Sequence, residues 1–155
     1  MKIPHGRFVA LYGCHGTPWR ESVMRALEKE CILSYDPTDS AWAKIDDQNG
    51  DAEQAKIDEL VSKQHEALSR ATCVIHYLFA HVEGKPKECH AARAELAYLA
   101  GAGIRTFFCI ASDVVGRNYL WGVMRLYEHM QRCNSINEAT KAAIAWMKKN
   151  ESIYS

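Results

Sequence analysis

Short apolar runs alternate with longer stretches in which apolar residues recur every three or four positions. Arg7–Gly13 (RFVALYG) is a compact apolar run closed by glycine and reads as a strand. Ile32–Asp36 (ILSYD) reads as a second, stopped by Pro37. Thr72–Phe79 (TCVIHYLF) is apolar almost throughout, the pattern of a strand covered on both faces, and Arg105–Ala111 reads as a fourth. Between these runs the apolar positions take helical spacing. Residues 19, 23, 26 and 27 share one side of Trp19–Lys29, with Pro18 suited to its first turn. Ile57, Leu60, Val61 and Leu68 do the same for Ala55–Ser69. Ala92, Leu96 and Leu99 mark a helix inside Lys87–Ile110 that Gly101 and Gly103 stop. Residues 119–131 and Ile136–Lys149 read as two more helices. Asp39–Gln54, with Asn49-Gly50-Asp51 as turn chemistry, reads as a loop, as do 14–17, 80–87 and Ser112–Asn118.

Strands separated by helices predict right-handed β-α-β units and a parallel sheet with helices on both faces. The expected fold is α/β, a flavodoxin-like or Rossmann-like three-layer sandwich with a parallel sheet of four to five strands. No repeat, low-complexity segment or linker interrupts the chain, so residues 1–155 are expected to form one domain. Such folds bind ligands where loops leave the carboxyl ends of the strands. Those ends are Tyr12-Gly13-Cys14, Asp36–Asp39, the 80–87 loop and Asp113–Asn118.

Composition narrows the partners. The chain carries 19 basic and 19 acidic residues, which argues against nucleic acid or a membrane surface as partner. No apolar run approaches the roughly 20 residues that span a bilayer. The start, MKIPHGRFVALYG, lacks the apolar region and cleavage site of a secretory signal, so a cytoplasmic location is expected. Cysteines 14, 31, 73, 89, 109 and 133 form no C-x-x-C pair and read as reduced thiols. G-x-G-x-x-G, Walker A and G-x-S-x-G motifs are absent. Cys89-His90 are adjacent, and His76 and His81 are five apart, which is not metal-ligand spacing on a helix; no metal or cofactor is expected, and these histidines read as surface or loop residues.

One carboxylate stands out. Glu95 lies beside the apolar stripe of Ala92, Leu96 and Leu99, among small neighbours. A partly desolvated acid is either paired, here with Arg93, Arg105 or another cation, or it has chemical work to do. Glu88, two turns earlier, reads as a first-turn acid favoured by the helix dipole.

The run Glu95-Leu96-Ala97-Tyr98-Leu99-Ala100-Gly101-Ala102-Gly103 resembles the nucleophile-bearing helix of the nucleoside 2-deoxyribosyltransferase family. Leu11-Tyr12-Gly13 with Trp19 is similar to that family's first strand and turn. Ser34–Asp39 with Trp42 resembles its second strand and base-pocket loop, and Asn118 with Trp121-Gly122-Val123 its late segment that reaches a neighbouring subunit's site. The chain departs from the pattern at Gln64-His65-Glu66, at Glu88-Cys89-His90-Ala91 and at Ala41, where the family often has aspartates and a base-reading glutamine. The resemblance implies cleavage of the N-glycosidic bond of a (deoxy)nucleoside or its 5′-phosphate, with the sugar passed to another base or to water. Glu95 and Tyr12 are the implied catalytic pair, with Glu95 as nucleophile and Tyr12 orienting it by a hydrogen bond. Gly13, Asp39, Trp42, Glu88 and Asn118 are the implied substrate-binding residues. Trp19 is a second candidate to stack on the base, and Arg20, Lys85, Lys87 and Arg117 are cations available to a phosphate. A homo-oligomer with a small-molecule nucleoside or nucleotide as partner follows from the same resemblance. The alternatives are a non-catalytic nucleotide-binding module of the same fold, and an interaction protein working through the 119–149 helices.

Overall fold

The fold is described from a computed structural model over residues 2–38, 44, 50–86 and 89–151. Its elements are β1 (Val9–Gly13), α1 (Trp19–Lys29), β2 (Ser34–Tyr35), α2 (Gly50–Arg70), β3 (Cys73–Leu78), β4 (His81–Val82), β5 (Lys85–Pro86), α3 (His90–Ala102), β6 (Thr106–Ile110), α4 (Arg117–Met124), β7 (Met130–Cys133) and α5 (Ile136–Glu151). Five strands form one sheet in the order β2-β1-β3-β6-β7, every pairing parallel, while β4 and β5 make a separate two-stranded antiparallel hairpin. Counting only the sheet strands, the order is 2-1-3-4-5, the flavodoxin-like winding. The chain leaves β1 for the sheet edge and returns to β3 on the other side. The crevice at that reversal opens at the carboxyl ends of β1 and β3.

Strand register divides the core in two. Tyr12, His76 and Phe108 are aligned across β1, β3 and β6 and share one face, because side chains alternate along a strand. Leu11, Ile75 and Phe107 form the row that faces the other way. Phe107 meets Trp146 of α5, which assigns that second face to α5 and to its neighbour α1. On the first face lie α2, through Tyr12 and Gln64, and α3, through His76 and Glu95. The central strands are almost wholly inaccessible, and Leu27, Leu96, Leu99, Ala139 and Ala143 close over them from the helices. Among the described residues no helix is long and apolar enough to cross a membrane.

Three stretches differ from expectation. Residues 119–131 are not one helix: α4 ends at Met124, tight turns follow, and Met130–Cys133 adds β7 at the sheet edge. Only the two ends of β7 are buried, so Gln131 and Arg132 hide the strand from any search for an apolar run. The polar stretch before Ala55 already belongs to α2, which starts at Gly50; Gln54 Nε2 donates to Asp58 Oδ1 at 2.7 Å on its solvated side. The 80–87 loop contains the short β4–β5 hairpin.

Gly13 closes β1 at φ +119°, and a Cβ built on it falls on the carbonyl of Tyr77. Only glycine fits this approach of β1 to β3. Gly13→Ala is expected to lose about 3 kcal/mol of stability in urea unfolding, through backbone strain and displacement of β3.

Candidate active site at the ends of β1 and β3

Glu95 occupies the middle of α3, with Ala92, Leu96 and Leu99 anchoring the helix in the core beside it. Its side chain remains about a fifth exposed. Oε2 accepts the Gly13 N–H at 3.2 Å, and the Nε2 of fully buried His76 stands 3.6 Å from the same oxygen. Neither expected cation pairs with it. Arg93 donates to the Val115 carbonyl at 3.0 Å, and Arg105 donates to the Glu128 carbonyl and to Gln131. Glu95 instead faces a cleft of about 570 Å³ between α2 and α3. Ala91 and Ala94 leave that space open on α3, while Gln64, His65 and Tyr98 supply polar and aromatic groups to its walls. His65 and Tyr98 meet edge to face at 4.5 Å. A hollow of about 640 Å³ along α1 is lined instead by solvated charges, among them Glu21, Arg25 and Lys29, and lies away from the strand ends.

Tyr12 lines the cleft, but its role differs from the one expected. Its hydroxyl donates to the Gln64 carbonyl at 2.8 Å, and a phenol has one proton to give. The donor on Glu95 is therefore the Gly13 backbone, and Tyr12 ties β1 to α2. Burial, with the neighbouring Tyr35 and Glu95, pushes the Tyr12 phenol far above its ordinary range, so it stays protonated.

Arg20 is buried on the far side of the same loop. Its guanidinium donates to the carbonyls of Leu11, Gly13 and Cys14 at 3.3, 2.8 and 3.2 Å, and it lies 3.4 Å from Asp36. Burial lowers its pKa, opposed by the charges of Asp36 and Glu95. These bonds commit Arg20 to the backbone rather than to a substrate phosphate. Trp19 is likewise committed: it is buried, donates to the Cys14 carbonyl at 3.0 Å and packs on Tyr77.

Of the remaining expected residues, Asn118 is exposed in the first turn of α4 and lines a separate hollow of about 330 Å³ with Ser112 and Arg117. Asp39, Trp42 and Glu88 lie outside the described residues. His76 corrects the surface reading of the histidines: it is fully buried in β3. Its signal in the sequence is the one imidazole inside the almost wholly apolar run Thr72–Phe79. His81 does lie at the surface, with Nδ1 3.0 Å from Asp113 Oδ2. Among the described residues no cluster of His, Cys, Asp or Glu could hold a metal ion.

The chain matches the family model described as nucleoside 2-deoxyribosyltransferase like over residues 9–114. That span runs from β1 through β6 and contains Tyr12, Gly13, His76 and Glu95. It stops before Asn118. No curated protein matches the chain.

The cysteines do not all stand as free thiols. Cys14, directly after Gly13, and Cys89, at the N-cap of α3, form a disulfide with a Cα–Cα distance of 6.0 Å. They are 75 residues apart in the chain, so no local spacing announced the pair. The bridge joins the two pieces of backbone whose separation sets the Gly13–Glu95 hydrogen bond. Cys73, Cys109 and Cys133 are buried, and burial pushes the Cys73 and Cys133 thiols up to about 12. Cys31 is exposed. Mass mapping after alkylation of native protein isolated without reductant is expected to find Cys31 labelled at once. Cys14 and Cys89 should label only after reduction, and the other three only after unfolding. Labelling of Cys14 and Cys89 without reductant would contradict the pairing.

Proposed function

The chain belongs to the nucleoside 2-deoxyribosyltransferase-like family, whose description points to glycosyl transfer on nucleosides, and from that premise we propose that Glu95 is the nucleophile of an N-glycosidic bond cleavage. The observation that carries the reading is the carboxylate itself. It is held by one oxygen against the Gly13 N–H and open to a cleft at the topological switch point of the sheet, with no guanidinium or ammonium in contact among the described residues. Both neighbours, Gly13 N and His76 Nε2, address Oε2, which leaves Oε1 as the attacking atom.

In this reading Oε1 attacks the anomeric carbon as the bond to the base nitrogen breaks. The electron pair leaves with the base, which takes up a proton, and the sugar becomes an ester of Glu95. A second base or water then attacks the same carbon. The ester bond breaks, and the carboxylate is regenerated with net retention at the sugar. The apolar wall formed by Val61, Leu68 and Tyr98 suits a flat base better than a hydrated one, and Gln64 offers an amide to its edge. Asn118 lines its own hollow, so it would enter the chemistry only across an interface with a second copy of the chain.

Glu95→Ala, and the closer mimic Glu95→Gln, are expected to lower release of base from deoxynucleosides by about a thousandfold or more while leaving the fold intact by circular dichroism. Wild-type protein quenched during turnover should carry one sugar on the peptide containing Glu95. Addition of a free base that accelerates turnover would identify a transferase; indifference to it would identify a hydrolase. Wild-type turnover by the alanine variant would refute the assignment.

A further inference from the structure

His76 is a fully buried residue beside Glu95 that the nucleophilic step leaves unused. It occupies β3, between Tyr12 of β1 and Phe108 of β6 in the register, with α3 above it. Neither ring nitrogen has a hydrogen-bond partner among the described residues, although the ring has no exposure to water. Such an orphaned pair of polar atoms in a sheet core is costly and calls for a partner. The nearest charged group is Glu95, whose Oε2 lies 3.6 Å from Nε2. That gap is about half an ångström beyond a hydrogen bond, and resting catalytic contacts often tighten only during reaction.

We infer that His76 is a positioning residue that donates from Nε2–H to Oε2 of Glu95 and speeds release of the sugar from that residue. The inference rests on Glu95 being the nucleophile. A carboxylate can only accept, so the proton must lie on Nε2. The effect of a donor at Oε2 depends on the charge there. In the resting carboxylate and in the departing one, Oε2 shares a full negative charge. In the sugar ester it is a carbonyl oxygen with only a partial one. A donor fixed at Oε2 therefore favours the carboxylate over the ester. It makes Glu95 a better leaving group in the second step, at the expense of some nucleophilicity in the first. Gly13 N–H acts in the same sense but is part of the backbone, whereas His76 can be changed.

The kinetic signature differs from that of general structural damage. His76→Leu removes the donor and is expected to lower kcat about tenfold, with KM falling alongside it, kcat/KM nearly preserved and the Glu95 sugar ester accumulating in quenched samples. His76→Gln places an amide N–H where Nε2 was and should restore most of kcat. A His76→Leu variant that loses kcat/KM without accumulating ester, or a His76→Gln variant no better than it, would overturn the role. A second measurement is independent of turnover. The nitrogen-15 spectrum of the His76 ring should show Nε2 protonated and Nδ1 bare, and the Nε2 resonance should move in Glu95→Gln. A ring protonated on Nδ1 alone and indifferent to Glu95→Gln would refute the contact. Absence of any sugar ester in the wild type would instead refute the nucleophile, and the catalytic role of His76 with it, while the spectrum would still decide the contact.

Discussion

The site depends on one backbone N–H. Gly13 sits where β1 passes so close to Tyr77 that no side chain can be present, and its N–H is thereby aimed at Oε2 of Glu95. The same few residues are gripped from the opposite side by Arg20, which takes the carbonyls of Leu11, Gly13 and Cys14. The loop thus lies between a carboxylate that accepts from its N–H and a guanidinium that donates to its carbonyls, and the two charges are electrostatically coupled across it. Hydrogen bonds to charged partners hold more firmly than neutral ones, and here they orient the end of β1 and the Cys14 that follows it. The Cys14–Cys89 bridge fastens this loop to the start of α3 and so acts on the same geometry.

Sheet register explains why the acid, the imidazole and the phenol meet. Tyr12 and His76 are aligned neighbours on one face, and α3 crosses that face with Glu95 pointing down toward them. On the opposite face the corresponding row is Leu11, Ile75 and Phe107, with no polar atom in its side chains. One side of the sheet presents apolar strand side chains to α1 and α5, and the buried polar residues there, Arg20 and Thr140, belong to the helices. The other carries buried polar groups whose desolvation must be offset by specific contacts: Tyr12 to Gln64, Glu95 to Gly13. The asymmetry puts the cleft and the polar row of the strands on the α2–α3 side of the sheet.

The parts legible in the sequence were those set by short-range pattern. Parallel strands covered on both faces run apolar, so β1, β3 and β6 could be read directly, as could the helices with a clear stripe. β7 could not, because an edge strand with Gln131 and Arg132 outward has no such run. Glu95 was legible as a charge beside a buried stripe. Its partners were not, since Gly13 is 82 residues away and meets it only through the winding of the sheet. The hydrogen bond of Tyr12 was misplaced for the same reason: the Gln64 carbonyl competes for that proton only once α2 has docked. Cys14 and Cys89 show the limit most plainly, as two unremarkable thiols in separate elements that the topology brings together.

What distinguishes Glu95 from a carboxylate held in a structural ion pair is the unequal treatment of its two oxygens. A carboxylate in a structural ion pair has both oxygens engaged, often by one guanidinium, and its charge is neutralised in place. Glu95 has its contacts on Oε2 and open volume beyond, because Ala91 and Ala94 decline to fill the space that larger residues would occupy. The hydrogen bond on Oε2 fixes the plane of the group without neutralising it. The cleft then decides what can approach the other oxygen. Its mixture of Val61, Leu68 and Tyr98 with Gln64 and His65 is that of a pocket for a molecule with an apolar face and a polar edge, as a nucleobase has. The alanines of α3 are therefore as much a part of the site as the acid, since the acid could be desolvated without them but could not be reached.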